Sequence, residues 1–453
     1  MTKFSEWVSS IAEAGRELVP RKNRQDKSQN LYSLCQELCS SKGEAMGTAI
    51  AHDVVKAYMN LGESERVDFF YMLLTEFSPD PADILRCAEA FKLKSDRANY
   101  KALSNAIAAP RLHLFRSINM APQGTATLIH MRRDLLSVLG DYPQFVGIDE
   151  DLKHLLISWF NRGFLTLEQI CWRTPAHILE KLIAYEAVHE MSGWDDLRRR
   201  LADDRRCFAF FHPALEDEPL IFVEVALVKG MAGNVQELLA KPGAASPQVK
   251  SKSSSAVKLI KPLSSDQEDF DTAIFYSISN CQEGLKGISF GNFLIKQVVL
   301  ELRHEFEQLK RFATLSPIPG FRRWLNTELK QSDLSLISEE ERTHLEILQH
   351  KEWHKDQESC DILQPLLTRL CAHYLANAKK GTEPLDPVAR FHLGNGAQIA
   401  RLNWLGDTSA NGIKQSAGLL VNYVYKLKMV EQNHEAYVNN GEIAMSAEIQ
   451  KLL

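Results

Sequence analysis

Residues 273–320 read AIFYSISNCQEGLKGISFGNFLIKQVVLELRHEFEQLKRFATLSPIPG, and this stretch decides the fold of the chain. It opens with Ala273–Ser279, which is rich in β-branched and aromatic side chains and therefore predicts a strand. Gly284, Gly287 and Gly291 follow, at a spacing that allows the backbone to bend with its amide groups exposed. We predict a strand that ends in a glycine loop.

A helix and a second strand follow the glycine loop. From Asn292 onward the apolar residues recur with a helical period over several turns. They are Leu294, Ile295, Val298, Val299, Leu302, Phe306 and Leu309. The next segment, Arg311–Ser316, predicts a short strand that is stopped by Pro317 and Pro319.

The order strand, helix, strand predicts a parallel pair joined by a right-handed crossover. The glycine loop and Ser316 then share one sheet edge, at the carboxyl ends of strands roughly 5 Å apart, which is where open α/β sheets bind ligands. The free amides of the helix N-terminus favour a phosphate or a carboxylate there. The glycine spacing matches neither Gly-x-Gly-x-x-Gly nor Walker A, so on this spacing alone a structural turn is an equally good interpretation.

Length and composition are those of an ordinary globular protein. At 453 residues the chain is long enough for two domains, or three, each with its own core. Apolar residues make up 45% and charged residues 25% of the chain, which is typical of folded proteins. The formal charge is -5 and the basic residues are scattered, so we expect no nucleic-acid partner.

Targeting signals and cysteines indicate the compartment. Glu6, Glu13 and Glu17 are mixed with basic residues near the start, so we expect neither a signal peptide nor a transit peptide. No window approaches the roughly 20 apolar residues of a membrane span, and the final Leu453 does not complete a Ser-Lys-Leu peroxisomal address. The eight cysteines never form Cys-x-x-Cys, which favours reduced thiols and a cytoplasmic protein.

The first third of the chain has a helical pattern. Residues 1–160 predict helix after helix without strand alternation. Asp80-Pro81 opens one of these helices with an N-cap carboxylate and a proline at the first helical position. Thr166 and Gln169 have the spacing of a capping box and predict a further helix.

Strand patterns begin after residue 200. Cys207–Phe211 and Leu220–Leu227 are apolar runs separated by a polar turn, which predicts a hairpin. Residues 242–267 are rich in Ser, Pro, Ala and Lys and lack periodicity, so we predict an insertion before the strand at Ala273–Ser279.

Histidines supply the candidate acid/base groups. His350 and His354 lie one helical turn apart, but the residues between them do not give His-Glu-x-x-His, so we expect a surface helix rather than a metal site. His392 lies beside a Gly-Asn-Gly turn, before a strand predicted at Gln398–Leu405. On the residues alone, an acid/base role and a structural role both remain open for His392.

Along nearly its whole length, and most closely in its second half, the sequence resembles the malonyl-CoA decarboxylase family. Six collinear blocks carry the resemblance, and together they are far more specific than the glycine loop alone. They are Phe211–Ile221, Ala273–Ser279, Gly284–Gly287, Thr314–Phe321, Phe391–Ala397 and Gly418–Tyr425.

The resemblance implies an α+β multidomain fold. In this family an all-α helical N-terminal domain, here residues 1–162, is involved in assembling tetramers. A mixed α/β catalytic domain similar to the GNAT acyltransferases follows, here residues 163–453. In GNAT-like folds the loop after the central strand holds the pyrophosphate of coenzyme A.

The resemblance also implies the site residues. Ser316 and His392 match the catalytic serine and histidine of the family, and Ser277 and Tyr425 match residues of the surrounding polar network. The substrate- and coenzyme-binding residues are Lys286, Gly287, Ile288, Ser289, Phe290, Gly291 and Asn292. Ser289 stands where animal members have an acidic residue, which is a departure from the family pattern.

The implied activity is decarboxylation of malonyl-CoA to acetyl-CoA and CO2. A malonyl thioester loses CO2 once the electron pair can flow onto the thioester oxygen. The substrate is therefore its own electron sink, and we expect no cofactor besides the coenzyme A it carries. Ser316 is expected to contact the carboxylate, and His392, with a pKa near the ordinary value of about 6.5, to protonate the carbanion.

Two other functions use the same features. An N-acyltransferase would use the same coenzyme loop together with an amine acceptor and a base. A non-catalytic acyl-CoA-sensing scaffold would use the helical half as its working part. For the decarboxylase we expect malonyl-CoA and acetyl-CoA as small-molecule partners, a homotetramer, no bound metal and no membrane association.

Overall fold

The computed structural model describes residues 10–11, 27–40, 43–160, 162–240, 270–288, 294–330 and 336–453. Two compact units divide the chain. The first unit consists of residues 1–166, 211–220 and 280–291, and the second of residues 167–210, 221–279 and 292–453. The predicted domain boundary between residues 162 and 163 stays a prediction.

The first unit is built from helices. They are α1 (Lys27–Ser40), α2 (Glu44–Met59), α3 (Glu63–Thr75), α4 (Pro81–Leu93), α5 (Arg97–Ile107), α6 (Pro110–Asn119), α7 (Gly124–Val138) and α8 (Val146–Trp159). Asp80 caps α4 as predicted, because its side chain accepts a hydrogen bond from the Ala82 amide. Leu114, Phe115 and Phe145 are fully buried in the core of this unit. The predicted helical character of residues 1–160 is confirmed for the described residues.

The remaining part of the chain mixes strands and helices. The strands are β1 (Thr166–Ile170), β2 (Arg205–Phe211), β3 (Ile221–Val228), β4 (Thr272–Asn280), β5 (Arg311–Thr314), β6 (Ser316–Pro317), β7 (Lys379–Lys380), β8 (Glu383–Pro384), β9 (Gln398–Asn403) and β10 (Leu420–Val424). The helices are α9 (Ala176–Tyr185), α10 (Trp194–Arg200), α11 (Val235–Leu239), α12 (Leu294–Glu305), α13 (Phe321–Glu328), α14 (Glu339–Leu345), α15 (Gln357–Asn377), α16 (Pro387–Gly394), α17 (Ala410–Ser416), α18 (Val430–Asn440) and α19 (Ala447–Gln450).

Eight of these strands form one mixed sheet, in the order β1-β2-β3-β4-β5-β10-β6 with β9 also paired to β10, and β7 and β8 form a separate pair. β4 and β5 are parallel, and β2 and β3 form an antiparallel pair. The predicted strand-helix-strand unit and the predicted hairpin are therefore confirmed. Successive side chains of a strand point to opposite faces. Ile274 and Tyr276 of β4 accordingly lie in an apolar cluster on one face of the sheet, whereas Phe275 and Ser277 point to the other.

Three local predictions had other outcomes. Thr166 begins strand β1 instead of a helix, so the predicted capping box was wrong. His392 lies in the last turn of helix α16 rather than at the edge of a loop. The predicted insertion at residues 242–267 lies outside the described residues.

In the described part of the chain, no helix is long and apolar enough to cross a bilayer. The same residues contain no group of three or more His, Cys, Asp or Glu side chains that could hold a metal ion. All eight cysteines are free thiols.

Candidate active site

The candidate active site lies where strands β4 and β5 stop pairing. Their register ends at Phe275 opposite Thr314, and the Leu315 amide donates a last hydrogen bond of 2.9 Å to the Phe275 carbonyl. Ser316 begins β6, which pairs with β10 through Val421. Ser316 therefore follows the end of the parallel pair and points to the same sheet face as Thr314.

Four side chains form a hydrogen-bonded row on this face. The Tyr425 hydroxyl lies 2.7 Å from Nδ1 of His392, and Nε2 of His392 lies 3.1 Å from Oγ of Ser316. Ser316 in turn donates to Oγ1 of Thr314 at 2.8 Å. Because the Ser316 proton is directed to Thr314, its oxygen accepts from Nε2–H, and Nδ1 accepts from Tyr425. All four residues are buried.

Helix α16 fixes the position of His392. The buried Asp386 is its N-cap, and one carboxylate oxygen accepts hydrogen bonds from the amides of Val388 and Ala389, both at 2.9 Å. Tyr423 of β10 stacks on the imidazole with ring centroids 4.5 Å apart. The cap sets where the helix begins, and the stacked tyrosine fixes the plane of the ring.

Burial determines the charge of His392. Only 3% of the residue is exposed, and this burial lowers the pKa of its imidazole to about 3. Burial likewise raises the pKa of Tyr425 well above its ordinary value. The expectation of an ordinary histidine pKa was therefore wrong, because the cost of desolvating an imidazolium is large at this position. At neutral pH the row consists of neutral groups.

Ser277 of β4 makes its hydrogen bonds to a different set of groups, which includes a carboxylate at the end of helix α9. Its hydroxyl donates to the carboxylate of Glu186 at 2.8 to 2.9 Å and lies 3.2 Å from Oγ of Ser279. Glu186 also accepts from the amides of Val188 and His189 at 2.7 and 2.8 Å. The structure thus brings Ser316, His392 and Tyr425 together and joins Ser277 to a separate carboxylate.

The predicted coenzyme loop is described in part, within the first unit. Gly287 has a φ of 76°, a left-handed conformation that favours glycine. Arg132 donates to the carbonyls of Gly284 and Lys286 at 2.7 and 2.9 Å and so fixes the backbone on helix α7. Lys153 places its ammonium group 3.8 Å from where a Cβ on Gly287 would lie.

Three of the seven predicted binding residues lie in the described part of the chain. Lys286, Gly287 and Ile288 are described, whereas the predicted binding residues Ser289, Phe290, Gly291 and Asn292 lie outside the described residues. Gly284 serves packing, because a Cβ there would lie 2.0 Å from the Ile129 carbonyl oxygen.

Comparison with known proteins decides the family. The family model described as the malonyl-CoA decarboxylase C-terminal domain matches residues 163–453, and the one for the N-terminal domain matches residues 77–160. The chain belongs to the malonyl-CoA decarboxylase family. The six sequence blocks had predicted this membership, and it is confirmed.

Relatives in the malonyl-CoA decarboxylase family cover most of the chain. The mouse (Mus musculus) protein named mitochondrial malonyl-CoA decarboxylase is 34% identical over 433 residues, which is 88% of this chain and 84% of the relative. A crystal structure of malonyl-CoA decarboxylase from Rhodopseudomonas palustris is 45% identical, with a TM-score of 0.87 over 94% of this chain and 100% of that one. The structure from Agrobacterium vitis is 44% identical, with a TM-score of 0.82 over 93% and 99% of the two chains.

The sequence interpretation missed several residues that build this site. Asp386-Pro387 has the same N-cap signature as Asp80-Pro81 and was available as a signal. Thr314 precedes Ser316 by two positions, which on a strand puts both on one face. Glu186 and Arg132 had no local signal, because their partners lie 91 and 152 residues away.

Proposed function

We propose that this chain converts malonyl-CoA to acetyl-CoA and CO2. The observation that carries the proposal is the buried row Tyr425–His392–Ser316, which follows a parallel strand pair in a chain of the malonyl-CoA decarboxylase family. A row of neutral hydrogen-bonding groups suits a reaction in which a carboxylate is lost as uncharged CO2. The surrounding catalytic unit is proposed to be GNAT-like.

The reaction needs no electron sink from the protein. The electron pair of the breaking C–C bond moves onto the α-carbon and is delocalised onto the thioester oxygen, while the carboxylate carbon leaves as CO2. We therefore propose that coenzyme A, as part of the substrate, is the only cofactor-like group required. The role of the protein is to orient the carboxylate, stabilise the enolate and supply one proton.

Ser316 is proposed to position the malonyl carboxylate by turning its hydroxyl proton from Thr314 to the substrate when the substrate binds. Its hydroxyl is uncharged and lies among buried groups, so a carboxylate held there is deprived of water. The same surroundings disfavour the localised charge of the carboxylate more than the delocalised charge of the enolate. Ser316→Ala should therefore lower kcat more than it changes KM.

His392 is proposed to protonate the carbanion through Nε2–H. The low pKa of His392 means that the donor is a neutral imidazole rather than an imidazolium ion. A carbanion next to a thioester is a far stronger base than a deprotonated imidazole, so this transfer is downhill. Tyr425 is proposed to hold the tautomer in which Nε2 carries the proton.

Coenzyme binding is proposed for the loop from Lys286 to Asn292. Two observations support it: Gly287 is exposed in a left-handed conformation, and the Lys153 ammonium group lies beside it. A cation beside an exposed glycine turn is a typical arrangement for binding a phosphate. Ser277 is proposed to remain part of the polar surroundings of the reaction, held in place by Glu186.

Assembly and location are also proposals. We propose a homotetramer in the cytoplasm. Helix α5 has no buried residue, and Leu85, Leu93, Tyr100 and Ile107 on α4 and α5 are between 54% and 89% exposed, which supports association through this part of the chain.

The free cysteines support a reducing compartment, although the curated relatives from mouse and goose are named mitochondrial. Light scattering of the purified protein and imaging of a fluorescent fusion test these two points.

The deciding experiment uses malonyl-CoA labelled in its free carboxyl carbon, with protein dialysed against chelator and no added cofactor. We expect labelled CO2 and acetyl-CoA in equal amounts, and losses of orders of magnitude in Ser316→Ala and His392→Ala. Acyl transfer to an added amine without CO2 release would instead indicate an N-acyltransferase. Coenzyme binding without turnover, unchanged in His392→Ala, would indicate an acyl-CoA sensor. Either result overturns the proposal.

A further inference from the structure

The proposed reaction consumes one proton per turnover, yet its donor is buried. His392 is 3% exposed and neutral, and its two nitrogens are engaged by Ser316 and Tyr425. Once substrate covers the Ser316 side, a proton can reach the imidazole from solvent only by another route. The side of His392 that faces Tyr425 offers one.

A cleft in the second unit ends at this tyrosine. It has a volume of about 150 Å³ and lies between helix α12 and the segment that joins β10 to α18. Tyr425, which is 5% exposed, is one of its lining residues, and Val299, Leu300 and Val430 form apolar walls. Leu300 is 55% exposed, so the cleft opens to solvent along α12. This volume has room for several water molecules.

Polar groups inside the cleft are placed to hold water. Asn395 lines the cleft and is 6% exposed. Its Nδ2 donates to the Phe391 carbonyl at 2.7 Å, whereas its Oδ1 is buried and has no hydrogen-bond partner among the described residues. A buried acceptor of this kind needs a donor, and a water molecule between Asn395 and Tyr425 would supply it.

The charge at the mouth of the cleft favours the release of a proton from water. Lys296 and Arg303 line it, and Lys296 forms an ion pair with Glu431 across it. Two cations against one anion leave a net positive mouth. Such a mouth stabilises hydroxide, which is the species left when water gives up a proton.

We propose that protons enter through this α12–α18 cleft and reach the carbanion by way of Tyr425 and His392. The inference rests on the proposed decarboxylation. Nε2 of His392 gives its proton to the α-carbon while Nδ1 takes the hydroxyl proton of Tyr425. Tyr425 takes a proton from a water molecule in the cleft, which leaves hydroxide there. Burial disfavours a free tyrosinate, so the last two transfers occur together.

The imidazole must then return to its first tautomer. After the product leaves, Nε2 takes a proton from water on the substrate side and leaves a hydroxide there, which passes to solvent or combines with CO2 as bicarbonate. Nδ1 returns a proton to Tyr425, and Tyr425 releases one that neutralises the hydroxide in the cleft. Over one cycle a single solvent proton ends on the methyl group of acetyl-CoA, and no oxidation or reduction takes place. The water in the cleft lends a proton at the moment when substrate excludes water from the other side, and it takes a proton back when the imidazole returns to its first tautomer.

The test compares variants by CO2 release over a range of malonyl-CoA concentrations in H2O and in D2O. Tyr425→Phe keeps the aromatic ring and removes the hydroxyl group that passes the proton. We expect kcat to fall by about 10²-fold with KM little changed. Leu300→Trp fills the outer cleft without touching the row. Its matched control is Val438→Trp, because Val438 is 59% exposed on α18 and does not line the cleft.

The two tryptophan variants separate the relay from general damage. Leu300→Trp should lower kcat several-fold and increase its solvent isotope effect, whereas Val438→Trp should match the unmodified protein in both. Tyr425→Phe at full kcat, or Leu300→Trp indistinguishable from Val438→Trp, would overturn the relay. If the unmodified protein releases no CO2, the proposed function fails as well; if it does and only the variants disagree, the relay alone fails.

Discussion

The hydroxyl of Tyr425 lies 2.7 Å from Nδ1 of His392, on the side of the imidazole that faces away from Ser316. This contact selects one tautomer of a neutral ring and leaves the Nε2 proton for Ser316 or the substrate. A side chain with an N–H donor near the position of Nε2, but with no nitrogen at the position of Nδ1, would keep the hydrogen bond to Ser316. It would lose the proton transfer from Tyr425.

The first prediction concerns that substitution. His392→Gln can present an N–H near the position of Nε2 but cannot take a proton from Tyr425. We expect kcat to fall by about 10²- to 10⁴-fold, the usual contribution of a positioned acid or base, with a much smaller change in KM. Steady-state CO2 release measures both. His350→Gln, on an exposed surface position, is the matched control and should behave like the unmodified protein.

The second prediction is a pH dependence of stability. The pKa of His392 is about 3 in the folded protein and about 6.5 when unfolded. Above pH 6.5 the group is neutral in both states. As the pH falls from 6.5 towards 3, the unfolded state binds a proton that the folded state does not, so stability is lost, at up to about 1.4 kcal/mol per pH unit.

The substitution His392→Gln removes the histidine that causes this loss of stability and leaves the other titratable groups in place. Its free energy of unfolding, measured with urea at pH 7, 6 and 5, should therefore fall less steeply than that of the unmodified protein. Other buried histidines such as His189, whose pKa burial lowers to about 4, titrate in both proteins and cancel in the comparison. Parallel curves for the two proteins would contradict a buried neutral His392.

Sequence reasoning succeeded where the physical cause is local. The strand at Ala273–Ser279, helix α12 and the parallel return to Ser316 follow from apolar period and proline position, and each was found. Thr166 and Gln169 show the limit of such signals. Their capping spacing is real, but pairing with the sheet outweighs it, and the segment forms β1.

The family blocks supply the residues of the candidate site and do not supply its electrostatics. The family blocks brought Ser316, His392 and Tyr425 together, and the structure places them in one hydrogen-bonded row. The pKa of His392 depends on how many side chains exclude water from it, which no motif records. Glu186 and Arg132 act over long sequence separations and could be found only from the fold.

The third prediction concerns the cap of the helix that holds His392. Asp386→Ala removes the acceptor of two backbone hydrogen bonds at the start of α16. We expect a loss of about 1 to 2 kcal/mol in stability. We also expect a lower kcat, because the helix that carries His392 is then less well ordered at its first turn. Asp386→Asn keeps an oxygen acceptor and should recover most of both. Thermal unfolding measures the change in stability, and CO2 release measures the change in kcat. Equal stability of the alanine and asparagine variants would exclude the capping role.

The fourth prediction concerns the loop proposed to bind the coenzyme. A Cβ on Gly284 would lie 2.0 Å from the carbonyl oxygen of Ile129, so Gly284→Ala must displace the loop from helix α7. We expect a cost of about 1–3 kcal/mol and weaker coenzyme A binding in calorimetry. Gly140→Ala, where nothing lies within 4 Å of the added carbon, is the control. Unchanged affinity in a folded Gly284→Ala protein would count against the loop as a coenzyme site.

The last prediction tests whether Glu186 and Ser277 act as one unit. Glu186 accepts from the Ser277 hydroxyl and from two backbone amides, so its removal leaves donors unsatisfied in a buried place. Glu186→Gln and Ser277→Ala should each reduce stability, and the double variant should lose less than the sum, by a coupling of about 1 kcal/mol. If Ser277 also serves the reaction, kcat should fall in both single variants and hardly further in the double variant. Additive losses in stability and in kcat would show that the two side chains act independently, and the carboxylate would then have no part in positioning Ser277.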